Sequence, residues 1–171
     1  MIEALAMQWA NRLKQSVPEH PASVAVMKYG LQIFIETILT LLLAISISLL
    51  TGMTGEMLLA LIAFAILRAV SGGFHFSAAW ACLWSSAIGA NLLAYATFND
   101  TIILICTGIS LLLAAIYAPS KIDKQTRIPK KYYPMLKVIS LVIISANLLF
   151  MSSIIAAAFL VQSLTLIRKR R

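Results

Sequence analysis

MLKVISLVIISANLLFMSSIIAAAFLVQSLTLI, residues 135–167, runs for 33 positions with only Lys137 and scattered Ser, Asn and Gln to interrupt its apolar character. A single helix of that length would reach about 50 Å, whereas a bilayer core needs only about 20 residues. Its reading as one long helix or two short spans therefore decides the fold, and charge favours two. Arg12, Lys14 and Lys28 precede the first apolar span and place the N-terminus in the cytoplasm by the positive-inside rule. The terminal RKRR belongs on the same side. Both ends stay inside only if the chain turns back within 135–167, and Phe150-Met151-Ser152-Ser153 is the expected turn.

Working outward, the remaining spans lie between punctuation marks. The first runs from Leu31 to Leu50, interrupted by Gln32 and Glu36, and TGMTGE (51–56) turns it back. The second, Met57 to Val70, carries Arg68 near its end and stops at SGGFHFS. Ala78 to Phe98 is the third, NDT (99–101) a turn, and Ile102 to Tyr117 the fourth. Residues 118–134, APSKIDKQTRIPKKYYP, form a basic loop with Lys121, Lys124, Arg127, Lys130 and Lys131 against Asp123. This reading gives an all-α polytopic membrane protein, a single domain over 1–171, with about six transmembrane helices and a helix break at Gly72-Gly73. Loop 118–134 and both termini then face the cytoplasm.

Composition agrees. The chain is 61% hydrophobic and 12% charged, against about 25% charged in a soluble domain. Lipid must therefore be the solvent for much of its surface. Residues 1–28 contain no apolar run long enough for the core of a cleavable signal peptide. Within them, Ile2, Leu5, Ala6, Trp9 and Leu13 fall at helical spacing, which suits an interfacial amphipathic helix with Trp9 at headgroup depth. A cap packed on the cytoplasmic side fits the pattern equally well. The net charge of +8 follows from membrane topology, since no aromatic–basic nucleic-acid module is visible.

One segment departs from the apolar text. RAVSGGFHFSAAWAC (68–82) gathers Arg68, Gly72, Gly73, His75 and Cys82, although the chain has only two histidines and two cysteines. Two cysteines provide neither a disulfide framework nor a metal cluster, and Cys106 reads as a small buried hydrophobe. Each residue of the segment has a plain reading: His75 an interfacial anchor, Cys82 packing, Arg68 a snorkelling topology marker. The chemical reading makes Cys82 a nucleophile and His75 its base. On one uninterrupted helix, residues seven apart are about 10 Å apart along the axis, too far for the roughly 3 Å contact required. The pair works only if the chain breaks at Gly72-Gly73, with Ser77 capping a new helix from Ala78 that carries Cys82 in its second turn. Glu36 is the best intramembrane carboxylate for a supporting role, with Lys28 or Arg68 as alternative partners. Asn91 lies too far along the helix from Cys82 to orient the site, and Asp100 falls on the opposite side.

At Arg68, Gly73, His75 and Cys82 the sequence resembles the accessory gene regulator B (AgrB) family of membrane cysteine endopeptidases. Tyr117-Ala118-Pro119, the multispan layout and the cationic loop resemble it too. The resemblance implies a small quorum-sensing propeptide as substrate, with an amphipathic leader and an acidic tail. It implies cleavage of the tail through a thioester on Cys82, with His75 as proton acceptor, and closure of a thiolactone or lactone ring. It further implies a homodimer in a bacterial cytoplasmic membrane; no cofactor or metal is expected, and the topology count, two crossings before residues 71–77, puts the site at the cytoplasmic face. Arg68 would position the substrate, and Lys121, Lys124, Arg127, Lys130 and Lys131 would attract its tail or bind anionic lipid. From a different class, Arg68, His75 and Glu36 could line the polar pathway of a small transporter or peptide exporter. A scaffold that merely binds a partner is a third reading.

Overall fold

The computed structural model describes residues 2–73, 78–120 and 129–167. Among them the secondary structure is helical: α1 (Ile2–Ser16), α2 (Val24–Thr51), α3 (Thr54–Ser71), α4 (Ala79–Leu93), α5 (Asp100–Tyr117), α6 (Tyr133–Phe150) and α7 (Ser153–Leu164). A 3-10 turn at Lys130–Tyr132 leads into α6. Four segments are long and apolar enough to cross a membrane: α2, α3, α5 and Lys130–Phe150. At 15 residues α4 is shorter, and α7 has only 12, against the ~20 that a perpendicular crossing needs. Among the described residues, four helices are thus of span length, and the apolar helices α4 and α7 are shorter.

The long apolar run does divide at the expected turn. Met151 takes a left-handed conformation (φ 49°) and its N–H closes on the Asn147 carbonyl. Ser152 then caps α7, its Oγ accepting from the Ile155 N–H, so both helix ends are satisfied locally. The α2–α3 connection is tighter than the six-residue turn expected. Gly52, left-handed at φ 72°, ends α2, and α3 resumes at Thr54 with Ser48 Oγ 3.2 Å from Thr54 Oγ1. Asn99 caps α5 through its side chain, which accepts from the Ile102 N–H at 2.9 Å.

α7 is the most enclosed helix, packing on both α3 and α5. Its Ala156, Ala157 and Ala158 are buried, and such small residues let apolar helices approach where no hydrophobic effect drives them together. Ala63 and Leu67 of α3, Ala114 of α5, Ile144 of α6 and Ala158 and Phe159 of α7 form one cluster. Ala44 of α2, Met57 of α3 and Ala87 and Ala90 of α4 form another. Cys106 packs with Ile103 and Ala156, a small apolar group as its position suggests. Leu50, Leu92 and Leu149 turn outward, the placement that a lipid solvent permits. α1 lies along α2 with Ala6 and Ala10 fully buried, and Glu3 meets Lys28 at 3.7 Å. Trp9 remains half-exposed.

Candidate active site

The break after α3 is real and elaborately held. Gly72 adopts φ 71°, ψ −141°, and its N–H caps the helix on the Arg68 carbonyl at 2.9 Å. Gly73 follows at φ 126°, a region that only glycine enters without strain. An added Cβ on Gly73 would stand 2.6 Å from Thr165 Oγ1 and 3.3 Å from Gln162 Nε2, so close approach as well as conformation excludes a side chain. From the other side, residues after α5 run parallel to the break. The Gly73 N–H donates to the Ser120 carbonyl at 2.8 Å and the Ser120 N–H to the Ser71 carbonyl at 2.9 Å. Gln162 completes the cradle, donating from Nε2 to the Gly72 carbonyl at 2.6 Å and to Ser71 Oγ at 3.1 Å.

Beyond the break the chain starts a new helix. Ala78 is the N-cap of α4 and makes no side-chain cap bond; the amides of Ala81 and Cys82 close on the Ala78 carbonyl at 3.1 and 3.2 Å. Cys82 is the fourth residue of α4, one residue earlier than the sequence suggests, and carries a free, half-buried thiol. The Arg68 guanidinium, 5.8 Å from the Phe64 ring centroid, acts electrostatically on Cys82. Arg68 and Cys82 thus lie on the two helices that flank the break. Residues 74–77, with His75 and Ser77, lie outside the described residues.

Other predicted residues distribute differently. Glu36 accepts from Gln32 Nε2 at 2.8 Å on its own helix, while Lys28 pairs with Glu3 rather than with Glu36. Asn91 stays remote, as expected from its spacing, and ties α4 to α2 by donating to the Ala44 carbonyl at 3.1 Å. Lys130 and Lys131 are exposed in the turn before α6, Lys131 Nζ lying 4.9 Å from the Tyr132 ring centroid. Lys121, Lys124 and Arg127 fall outside the described residues. Sequence reasoning missed Ser71, Ser120, Gln162 and Thr165. The available signal was Gln162 with Thr165, polar residues three apart and so on one helical face of an apolar run.

Together these features define a helical, polytopic membrane protein in which a glycine break separates the helix bearing Arg68 from the helix bearing a free thiol. The chain belongs to the AgrB (accessory gene regulator B) family, whose profile matches residues 6–166. It is also 31% identical over 120 residues to a protein of Halalkalibacterium halodurans described as AgrB-like. That alignment covers 70% of this chain and 61% of the relative's length. No solved structure matches.

Proposed function

We propose that this protein processes a quorum-sensing propeptide as a membrane cysteine endopeptidase, with Cys82 as nucleophile and His75 as general base. What supports this reading is that Arg68 and the free Cys82 thiol lie on the two helices that flank the glycine break and interact electrostatically. Cys82 Sγ attacks the scissile carbonyl carbon while His75 takes the thiol proton, which then passes to the leaving amine. The Arg68 guanidinium stabilises negative charge as it develops around the sulfur and the carbonyl oxygen. The peptide is left as a thioester on Cys82. An internal Cys thiol or Ser hydroxyl then attacks that ester, releases Cys82 and closes a thiolactone or lactone. Shielding from water favours this ring closure over hydrolysis.

The substrate on this account is a small propeptide held at the bilayer by an amphipathic leader, its acidic tail drawn by Lys130, Lys131 and the loop before them. The site faces the cytoplasm with both termini, in a bacterial cell membrane, and the enzyme acts as a homodimer. Glu36 supports α2 from within rather than the reacting atoms. The test is cleavage of a cognate propeptide in proteoliposomes by wild type, Cys82→Ala and His75→Ala. Both variants should insert normally and release no tail, and wild type should accumulate a hydroxylamine-sensitive acyl adduct on Cys82. Normal processing by Cys82→Ala would sink the assignment.

A further inference from the structure

Two of the bonds that hold the glycine break come from Gln162 of α7, a helix with no part in the proposed reaction. Gln162 is fully buried near the end of α7. Its amide orientation is determined: the Gly72 carbonyl can only accept, so Nε2 must face it. The opposite end of the amide, Oε1, lies 3.2 Å from Thr165 Oγ1, which also stands 2.7 Å from the Gln162 carbonyl oxygen. The glutamine is therefore held at both ends, by the break and by the last turn of its own helix. α4, by contrast, is tied to α2 through Asn91 and the Ala44, Ala87 and Ala90 packing. α4 also packs on α3 and touches α7, whereas the bonds from Gln162 are made to the break itself.

We propose that Gln162, braced by Thr165, is a positioning residue that fixes the Gly72-Gly73 turn and thereby the approach of His75 to Cys82. This inference rests on the assignment of Cys82 and His75 above. His75 follows Gly73 by two residues in the sequence, and two residues span at most about 7 Å. A thiol and its base must stay within about 3 Å of one another. Freedom at Gly72 is therefore transmitted to the reacting pair, while the substrate-binding surface is untouched.

Gln162→Met keeps the side chain's length and removes both donors. Cleavage in proteoliposomes should lose about 10- to 100-fold in kcat, with KM within about threefold of wild type. Alkylation of Cys82 by iodoacetamide should slow in parallel, because the base no longer meets the thiol. General loosening of the bundle would instead expose the thiol and speed alkylation. Asn147→Leu is the control: it removes a buried polar pin at the opposite end of the bundle and should leave kcat unchanged. Should Gln162→Met fail to accumulate in the membrane, Thr165→Ala decides, with an expected loss of about fivefold in kcat. Wild-type kcat in whichever variant decides overturns the proposal, as does an equal loss in Asn147→Leu. Wild-type protein that cleaves nothing, or that cleaves without Cys82, overturns the underlying assignment instead.

Discussion

Gly73→Ala is the perturbation for which the structure gives a magnitude. At φ 126° an L-residue is held in a sparsely populated region at a cost of about 1–3 kcal/mol. The new methyl would also stand 2.6 Å from Thr165 Oγ1, so the pair must part by about 0.8 Å to reach ordinary contact near 3.4 Å. If Thr165 gives way, it loses its bonds to Gln162, about 1 kcal/mol more. If the turn gives way instead, His75 moves with it, and a misplacement of about 1 Å is worth about 100-fold in rate. The expected result is a roughly 100-fold fall in propeptide cleavage with normal insertion and helix content. Gly52→Ala is the matched control: it too has positive φ (72°), but its added Cβ meets nothing within 4 Å, and it lies at the other end of α3. Cleavage by Gly52→Ala should be normal even where its thermal midpoint in detergent falls. The reasoning is refuted if Gly73→Ala cleaves within about threefold of wild type, or if both glycine variants lose activity equally.

Asn147→Leu orphans Thr107 Oγ1 and the Ser152 N–H; it should destabilise the bundle by about 1 kcal/mol, at the low end typical of bonds between membrane helices, read as a lower thermal midpoint in detergent. Lys130→Glu with Lys131→Glu reverses two exposed charges. It should raise KM for a propeptide with an acidic tail several-fold at low salt, and much less at about 0.5 M salt where the screening length is short, with kcat preserved. Ala10→Leu overfills the fully buried face between α1 and α2, at about 1–3 kcal/mol. Faster tryptic cleavage at Arg12 and Lys14 should report the loosened helix.

Legibility in the sequence followed a physical divide between local and tertiary causes. The turn at 150–153 could be read because the apolar run exceeds the bilayer and Ser152 is a ready cap. The break at Gly72-Gly73 could be read because adjacent glycines inside apolar text have few other uses. By contrast, α4 ends at Leu93, not near Phe98, although the intervening residues are apolar. What decides that end is tertiary: Phe98 exchanges bonds with Ser153 Oγ, accepted at 3.0 Å and donated at 3.3 Å. α2 begins at Val24 rather than Leu31 because Ser23 caps it there, and hydropathy reports the lipid-facing part of a helix, not its polar start. Gln162 looked like one scattered polar residue among several. Only the partner 90 positions away in sequence gives it meaning, and no local pattern encodes that.

The same divide explains why the polar side chains gather where they do. A helix that ends buried inside the bundle, as α3 does at residues 71–73, leaves backbone groups that water cannot reach, and irregular backbone survives there only when protein partners replace the lost bonds. At this break the replacements can be followed one by one. Gly72 N–H returns to Arg68, Gly73 N–H goes to Ser120, Ser120 N–H goes to Ser71, and the Gly72 carbonyl receives Gln162. A reactive thiol needs an irregular backbone, because a straight helix keeps a base seven residues away out of reach. An irregular backbone in this solvent needs donors and acceptors brought from elsewhere in the chain. The cluster Ser71, Ser120, Gln162 and Thr165 is therefore the structural condition for the break on which the chemistry we propose depends.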